Sequence, residues 1–352
     1  MNSKKWCIFS LLLCLILLLV VTTLTAYIDP FFHYHAPQKT LSYPINSERY
    51  QNYGILKNFS YDTIITGSSM SQNFRASECD ALFQVTSVKT TLAGGTLLEF
   101  HEMLKHAISS NPNLHTIFWG LDTWLLFEDK DAMREGEIFP TYLYDDSLCN
   151  DVEYVLNKHI LIDNTLNVLD YTKEGNTTTS FDEYSFWANH AVFDKEYVLS
   201  NYVRSQKIDV PLPAYMYYLE NAQITVEQNI LPLISQNPDI QFYFFFTPYS
   251  ILSMDGTNQQ LLLDLEFQAC SLISQMLLEY DNVHLFSFFN DYETITNLDN
   301  YYDTIHYSDS INSLMLQRMA EGEYALTKEN YMDHWQEVSA YYLAYDYDAL
   351  FQ

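Results

Sequence analysis

The chain has 352 residues, 48% of them hydrophobic and 16% aromatic, which is ample for a full hydrophobic core. Its 45 acidic side chains against 17 lysines and arginines leave a formal charge of −28. Such a surface repels polyanions, which argues against binding nucleic acid or a phospholipid surface. Length alone predicts one domain with insertions, or one domain with a small appendage.

The N-terminus sets the compartment. From Trp6 to Ala26 the sequence WCIFSLLLCLILLLVVTTLTA contains no charge. About 20 apolar residues are needed to span the hydrocarbon core of a bilayer. Lys4 and Lys5 precede the run and no basic cluster follows it, so the N-terminus is expected in the cytoplasm, with residues 1–27 as a single-pass cell-membrane anchor. A cleaved secretory signal is the alternative, but its apolar region is typically only about 7–15 residues. The sequence TLTA is a weak cleavage candidate. Cys14 follows three leucines and lacks the small residue that lipoprotein processing needs. Everything after residue 27 is then extracytoplasmic, with 15 basic against 45 acidic side chains. Cys79, Cys149 and Cys270 lie there, so one disulfide is possible, but spacing cannot choose the pair. No HExxH or CxxC pattern occurs, and neither a metal nor a cofactor is expected.

An aromatic, proline-marked connector, YIDPFFHYHAP, and a polar stretch fill residues 28–59. From residue 60 the pattern becomes regular. DTIIT reads as a buried strand, SQNFRASECDALF as a helix or turn-helix, and VTSVKTTLAGG as a second strand ending in glycines. Leu97, Leu98, Phe100, Met103, Leu104 and Ala107 recur at helical spacing up to Asn111-Pro112, and HTIFWGLD is a third strand. Residues 124–215, rich in Tyr, Asp, Asn and Thr, read as an insertion over one end of the sheet, a lid or binding loop. Regularity returns with a helix near Thr225–Gln236, the strand IQFYFFFTPYS, a helix at about Asn258–Tyr280 and the strand VHLFSF. The tail, 326–352, reads as a helix packed back on the body. These alternations predict an α/β domain at 60–325 with a parallel sheet of about five strands wrapped by helices.

Ligands of such sheets bind at the carboxyl ends of the strands. Those ends present Gly67-Ser68-Ser69, Gly94-Gly95, Gly120-Leu121-Asp122 and Pro248-Tyr249-Ser250, with the loop NYYDTIHYSDSIN after the last strand. A serine nucleophile needs a base within hydrogen-bond reach, and the base needs a group that fixes its tautomer. Ser69, His306 and Asp303 can fill those three roles. Taken singly they have ordinary readings: Ser69 as a helix cap, His306 as a surface histidine and Asp303 as turn chemistry.

The combination resembles the SGNH (GDSL-type) hydrolase family. Gly67-Ser68-Ser69 matches its first block, with Ser69 at the nucleophile position and Ser68 in place of the aspartate. Gly94 or Gly95 matches the second-block glycine, Gly120-Leu121-Asp122 lies where the family has Gly-x-Asn, and Asp303-Thr304-Ile305-His306 matches the DxxH block. The resemblance covers roughly residues 60–125 and 238–325. The anchored topology and the GSS variant look most like members that move acyl groups on or off cell-envelope glycans, among them the D-alanyl transfer proteins of teichoic acid synthesis. It implies a flavodoxin-like core, a Ser69–His306–Asp303 triad, and oxyanion donation from the backbone of Ser69 and of Gly94 or Gly95. It further implies serine esterase or acyltransferase activity on an envelope polysaccharide and a membrane-bound O-acyltransferase as partner.

Asp122 departs from the pattern, because an ionised carboxylate would repel the developing oxyanion. Protonation by burial, a substitute donor such as Tyr249, or a catalytically silent scaffold that binds glycan or assembles an export complex are the open alternatives. Arg75 can grip an anionic substrate or form an ordinary salt bridge, and the tyrosines between 141 and 218 can stack on sugars or serve the core.

Overall fold

The computed structural model describes residues 3–134, 139–144, 147–208 and 212–352. The remaining parts of the expected insertion lie outside the described residues.

Helix α1, Ser3–Ile28, carries a mean hydropathy of 3.0 over its apolar window and is long and apolar enough to cross a membrane. Its residues up to Val20 are exposed almost all round, whereas Thr25 and Ile28 are buried against the domain. The segment expected to be a connector is core instead. Phe31, Phe32, Tyr43 and Ile45 are buried. A further helix, α2 (Glu48–Asn58), packs directly on the turn that follows α1. A Cβ at Gly54 would stand 2.0 Å from the carbonyl oxygen of Phe31, so only glycine permits this approach. Asp29, buried with φ 53, accepts the amides of His33, Tyr34 and His35 and the hydroxyl of Tyr154, which closes the turn.

The body is a mostly parallel six-stranded sheet in the order β2-β1-β3-β4-β5-β6. β1 is Thr63–Thr66, followed after a 3₁₀ turn by α3, Ala76–Phe83. β2 is Ser87–Lys89, α4 is Leu97–Ser110 and β3 is Thr116–Leu121. A capping box between Thr96 and Glu99 starts α4, whose apolar side is the one its spacing predicts. The inserted region holds short helices, α5 (Val152–Val155), a π turn (Ile160–Thr165) running into α6 (Leu166–Lys173), and α7 (Lys195–Asn201). α8 (Leu212–Asn229) and α9 (Leu231–Ser235) replace the single helix expected there, with Pro232 opening the second. β4 is Gln241–Phe246, and the helix expected next is two, α10 (Ile251–Gln259) and α11 (Leu263–Leu278), bent by 113° around Leu261 at φ 54. β5 (Val283–Ser287), α12 (Tyr292–Thr296) and α13 (Asp309–Glu321) follow. Strand β6, Ala325–Leu326, pairs antiparallel with β5 and is too short to read from sequence. Helix α14, Tyr331–Ala344, packs on α11 through Trp335, Val338 and Tyr342. All five cysteines are free, with Cys79 and Cys270 buried.

The central strands are nearly continuous apolar runs because helices cover both faces of a parallel sheet. From β1 the chain turns one way to β2 and crosses back to β3 on the other side. The crevice at the carboxyl ends of β1 and β3 is therefore the topological switch point, where a ligand site belongs.

Candidate active site

At that point β1 ends in Gly67 with φ 140, a conformation suited to glycine, and a Cβ there would lie 2.3 Å from Ser71 Oγ. The tight corner lets Ser69 start a 3₁₀ turn, capped by Ser68 Oγ accepting from the amide of Met70 at 3.2 Å. Ser69's own amide is the first of the turn, and among the described residues it donates to no protein acceptor.

Across the crevice the loop after β5 is pinned at several points. Tyr301 bridges Tyr307 antiparallel, Tyr302 N–H donates to His306 O at 2.8 Å, and Ser250 on the β4 side donates to Thr304 O through its amide and hydroxyl. Tyr307 Oη and Asn312 Nδ2 both donate to Met70 O, at 3.1 and 3.0 Å, fastening this loop to the nucleophile turn. The result is a continuous relay. Ser69 Oγ is 2.8 Å from His306 Nε2, and His306 Nδ1 is 2.7 Å from Asp303 Oδ2. Asp303 Oδ1 accepts the amides of Ile305 and His306 at 2.9 and 2.8 Å. Burial by itself would raise the Asp303 carboxyl, but the bonds and charge of His306 and the two amides outweigh it and hold the group below its usual range. With Asp303 ionised and accepting at Nδ1, Nε2 is left bare toward the serine, the tautomer a general base needs.

The glycine pair does not line the cleft over Ser69 and His306. Gly95 N–H closes a turn to Leu92 O at 2.8 Å, and Gly94 O takes the Arg134 guanidinium. Asp122 lies beneath that cleft, 1% exposed, accepting from Tyr249 Oη at 2.7 Å and Thr247 Oγ1 at 3.3 Å. Burial pushes its carboxyl up from the ordinary range, against the pull of the Ser68, Tyr249 and Thr247 hydroxyls. It is thus a buried strut, and the Tyr249 hydroxyl is spent on it. Arg75 pairs with Asp309 at 2.9 Å and lies over the Phe186 ring, outside the cleft.

Sequence reasoning missed the residue that roofs the site. Trp187, from the inserted region, donates from Nε1 to Ser69 O at 3.2 Å and meets the His306 ring edge-on at 5.3 Å. Asn73 Oδ1 positions it by accepting the amides of Trp187 and Ala188, at 3.1 and 3.2 Å. Trp187 and Tyr302 are the aromatic walls of a cleft of about 350 Å³ that also holds Gln72 and His190. Tyr154 and Tyr184, by contrast, are buried in the core. A second, wider cleft of about 780 Å³ shares Gln72 and Trp187 with the first and extends past Tyr50, Glu48 and Phe186. Below the turn, Lys89 is wholly buried and donates to the carbonyls of Gln72 and Phe74; burial lowers its amine to about 7.

No family model matches the chain, and no curated protein matches it either.

Proposed function

We propose that this protein is a membrane-anchored, extracytoplasmic serine O-acyl esterase or acyltransferase of the SGNH type, acting on cell-envelope polysaccharide. The observation that carries the reading is the unbroken Ser69–His306–Asp303 relay at the switch point of the sheet. The order β2-β1-β3-β4-β5 of the parallel strands, the flavodoxin-like winding, supports the family reading. Helix α1 supports the anchor.

Chemically, His306 Nε2 takes the Ser69 proton as Oγ attacks an ester carbonyl. Asp303 stabilises the imidazolium, and the Ser69 amide faces the developing oxyanion. His306 then protonates the departing alcohol, leaving an acyl-serine. Water or a sugar hydroxyl, deprotonated by the same nitrogen, releases the acyl group. The two confluent clefts, walled by Trp187, Tyr302, Tyr50 and Phe186 and edged with polar groups, suit a polyhydroxylated chain better than a compact apolar ester.

The test is fluorophosphonate labelling of the full-length protein in detergent, with hydrolysis of p-nitrophenyl acetate alongside. Wild type is expected to take the probe, and Ser69→Ala and His306→Ala are expected to lose both label and hydrolysis. A wild type with neither would point to a silent scaffold.

A further inference from the structure

The face of the inserted region beside α1 carries more apolar surface than the fold uses. Its inner side is spent on packing: Tyr154, Val155, Ile160 and Val168 are buried, and α5 and the π turn contact α1. Its outer side leaves Leu148, Val152, Leu156, Ile162, Leu166 and Leu169 exposed, between 37% and 76%. Ile162, Leu166 and Leu169 recur every three or four residues along the π turn and α6, one stripe of a helix. Exposed lysines, Lys158 and Lys173, continue the same spacing at either end, while Asp163 and Asp170 sit one position round.

The height of this stripe is set by α1. Residues 3–20 are the exposed part of the helix. At 1.5 Å per residue they cover about 27 Å, close to the ~30 Å hydrocarbon core of a bilayer. The burial of α1 begins only beyond Val20, and its last turns are the ones that meet the domain. An apolar stripe flanked by lysines, adjoining a spanning helix where it leaves the lipid, has the composition of an interfacial helix whose lysines reach outward to the headgroups.

We infer that the Leu148–Leu169 face lies on the outer surface of the bilayer that α1 spans, with Ile162, Leu166 and Leu169 sunk into the headgroup–acyl boundary. This rests on reading α1 as a membrane span.

The experiment uses the full chain in phosphatidylcholine vesicles, with Cys7, Cys14 and Cys149 replaced by serine and the buried Cys79 and Cys270 retained. An environment-sensitive NBD label is placed in turn on Ile162→Cys, Leu166→Cys and Leu169→Cys, on Leu15→Cys within α1, and on Leu82→Cys as an exposed control. The stripe labels are expected to lose iodide quenching and to be quenched by lipid carrying a doxyl group high on its chain, with Leu82→Cys behaving oppositely. Quenching of Leu15→Cys by lipid while the stripe stays open to iodide overturns the inference and leaves the span intact. Stripe labels shielded from iodide but untouched by doxyl lipid show a second copy covering the face, and also overturn it. A Leu15→Cys label that lipid does not quench removes the span and the inference together.

Discussion

Replacing Asp303 with asparagine exchanges one oxygen for an NH₂ group, and the site predicts a loss far out of proportion. Asp303 makes three bonds. Oδ1 holds the amides of Ile305 and His306, and Oδ2 accepts from His306 Nδ1 at 2.7 Å. An asparagine keeps its oxygen on the two amides, which turns its NH₂ toward Nδ1. Two donors cannot share that contact, so the imidazole moves its proton to Nε2, the nitrogen 2.8 Å from Ser69 Oγ. A protonated Nε2 cannot accept the serine proton, and the charge that would stabilise an imidazolium is gone as well. The same exchange in a serine-protease triad costs about 10⁴ in rate, which is roughly 5 kcal/mol of barrier. The second-order rate of fluorophosphonate labelling is therefore expected to fall by about three to four decades at neutral pH. The melting temperature at neutral pH should fall only modestly, because the loop keeps its backbone bonds while losing the carboxylate's contribution. The stability readout carries its own sign. The folded carboxyl lies below its ordinary value, so its contribution is complete above about pH 4 and fades only as pH falls through the lower folded value. A labelling rate within about tenfold of wild type from folded protein would refute the idea that Asp303 sets the tautomer.

Three further variants test groups around the relay. Asp122→Asn should keep esterase activity close to wild type, since burial already favours the neutral carboxyl and the amide oxygen still accepts from Tyr249. A raised folded pKa means that wild-type stability falls as pH rises above the unfolded value near 4, so chemical denaturation should show the Asp122→Asn variant gaining on wild type as pH climbs from about 4 toward the raised folded value. Lys89 has the opposite sign: between about 7 and 10 the unfolded chain holds a proton that the folded amine has released, so wild type should gain stability relative to Lys89→Met over that interval. A tenfold difference in proton affinity between the two states corresponds to about 1.4 kcal/mol, making the whole gain a few kcal/mol in paired melts. Trp187→Ala removes the donor to Ser69 O and the edge contact on His306, and kcat/KM for p-nitrophenyl acetate should drop by about 10²-fold, the usual cost of a misplaced catalytic group. An unchanged kcat/KM would mean that the roof does not position the serine.

The central parallel strands were readable because strands buried on both faces are short apolar runs, and QFYFFF or DTIIT has few other uses in a folded domain. Ser69, Asp303 and His306 were readable because strand ends in such sheets converge, so residues 237 positions apart could be compared. Other features were hidden for physical reasons. Helix α2 looks polar, yet Arg49, Gln51 and Asn52 are buried because each finds partners: Glu99, the Pro30 and Pro44 carbonyls, and Thr91 O. The glycine pair invited an oxyanion role, but an amide's availability depends on the turn it closes, and Gly95 closes one. Trp187 reaches the serine across 118 residues by a fold-back that no local period encodes, and Asn73, four residues past Ser69, holds its backbone there.

On the proposed reading, in which an anchored enzyme acts on an envelope glycan, the buried turn at Asp29 bears on how it meets that polymer. A tethered enzyme on a slack stalk sweeps a volume and finds scattered ester groups by wandering. Here the stalk enters the body with Phe32 fully enclosed and Gly54 pressed on the Phe31 carbonyl, leaving no slack at the joint. On the proposed reading the serine then works at one altitude above the lipid, and a glycan substrate would have to bring each ester to that level by its own length, growth and drift. Lengthening the joint with a flexible spacer would widen the zone of action and blur its choice of position.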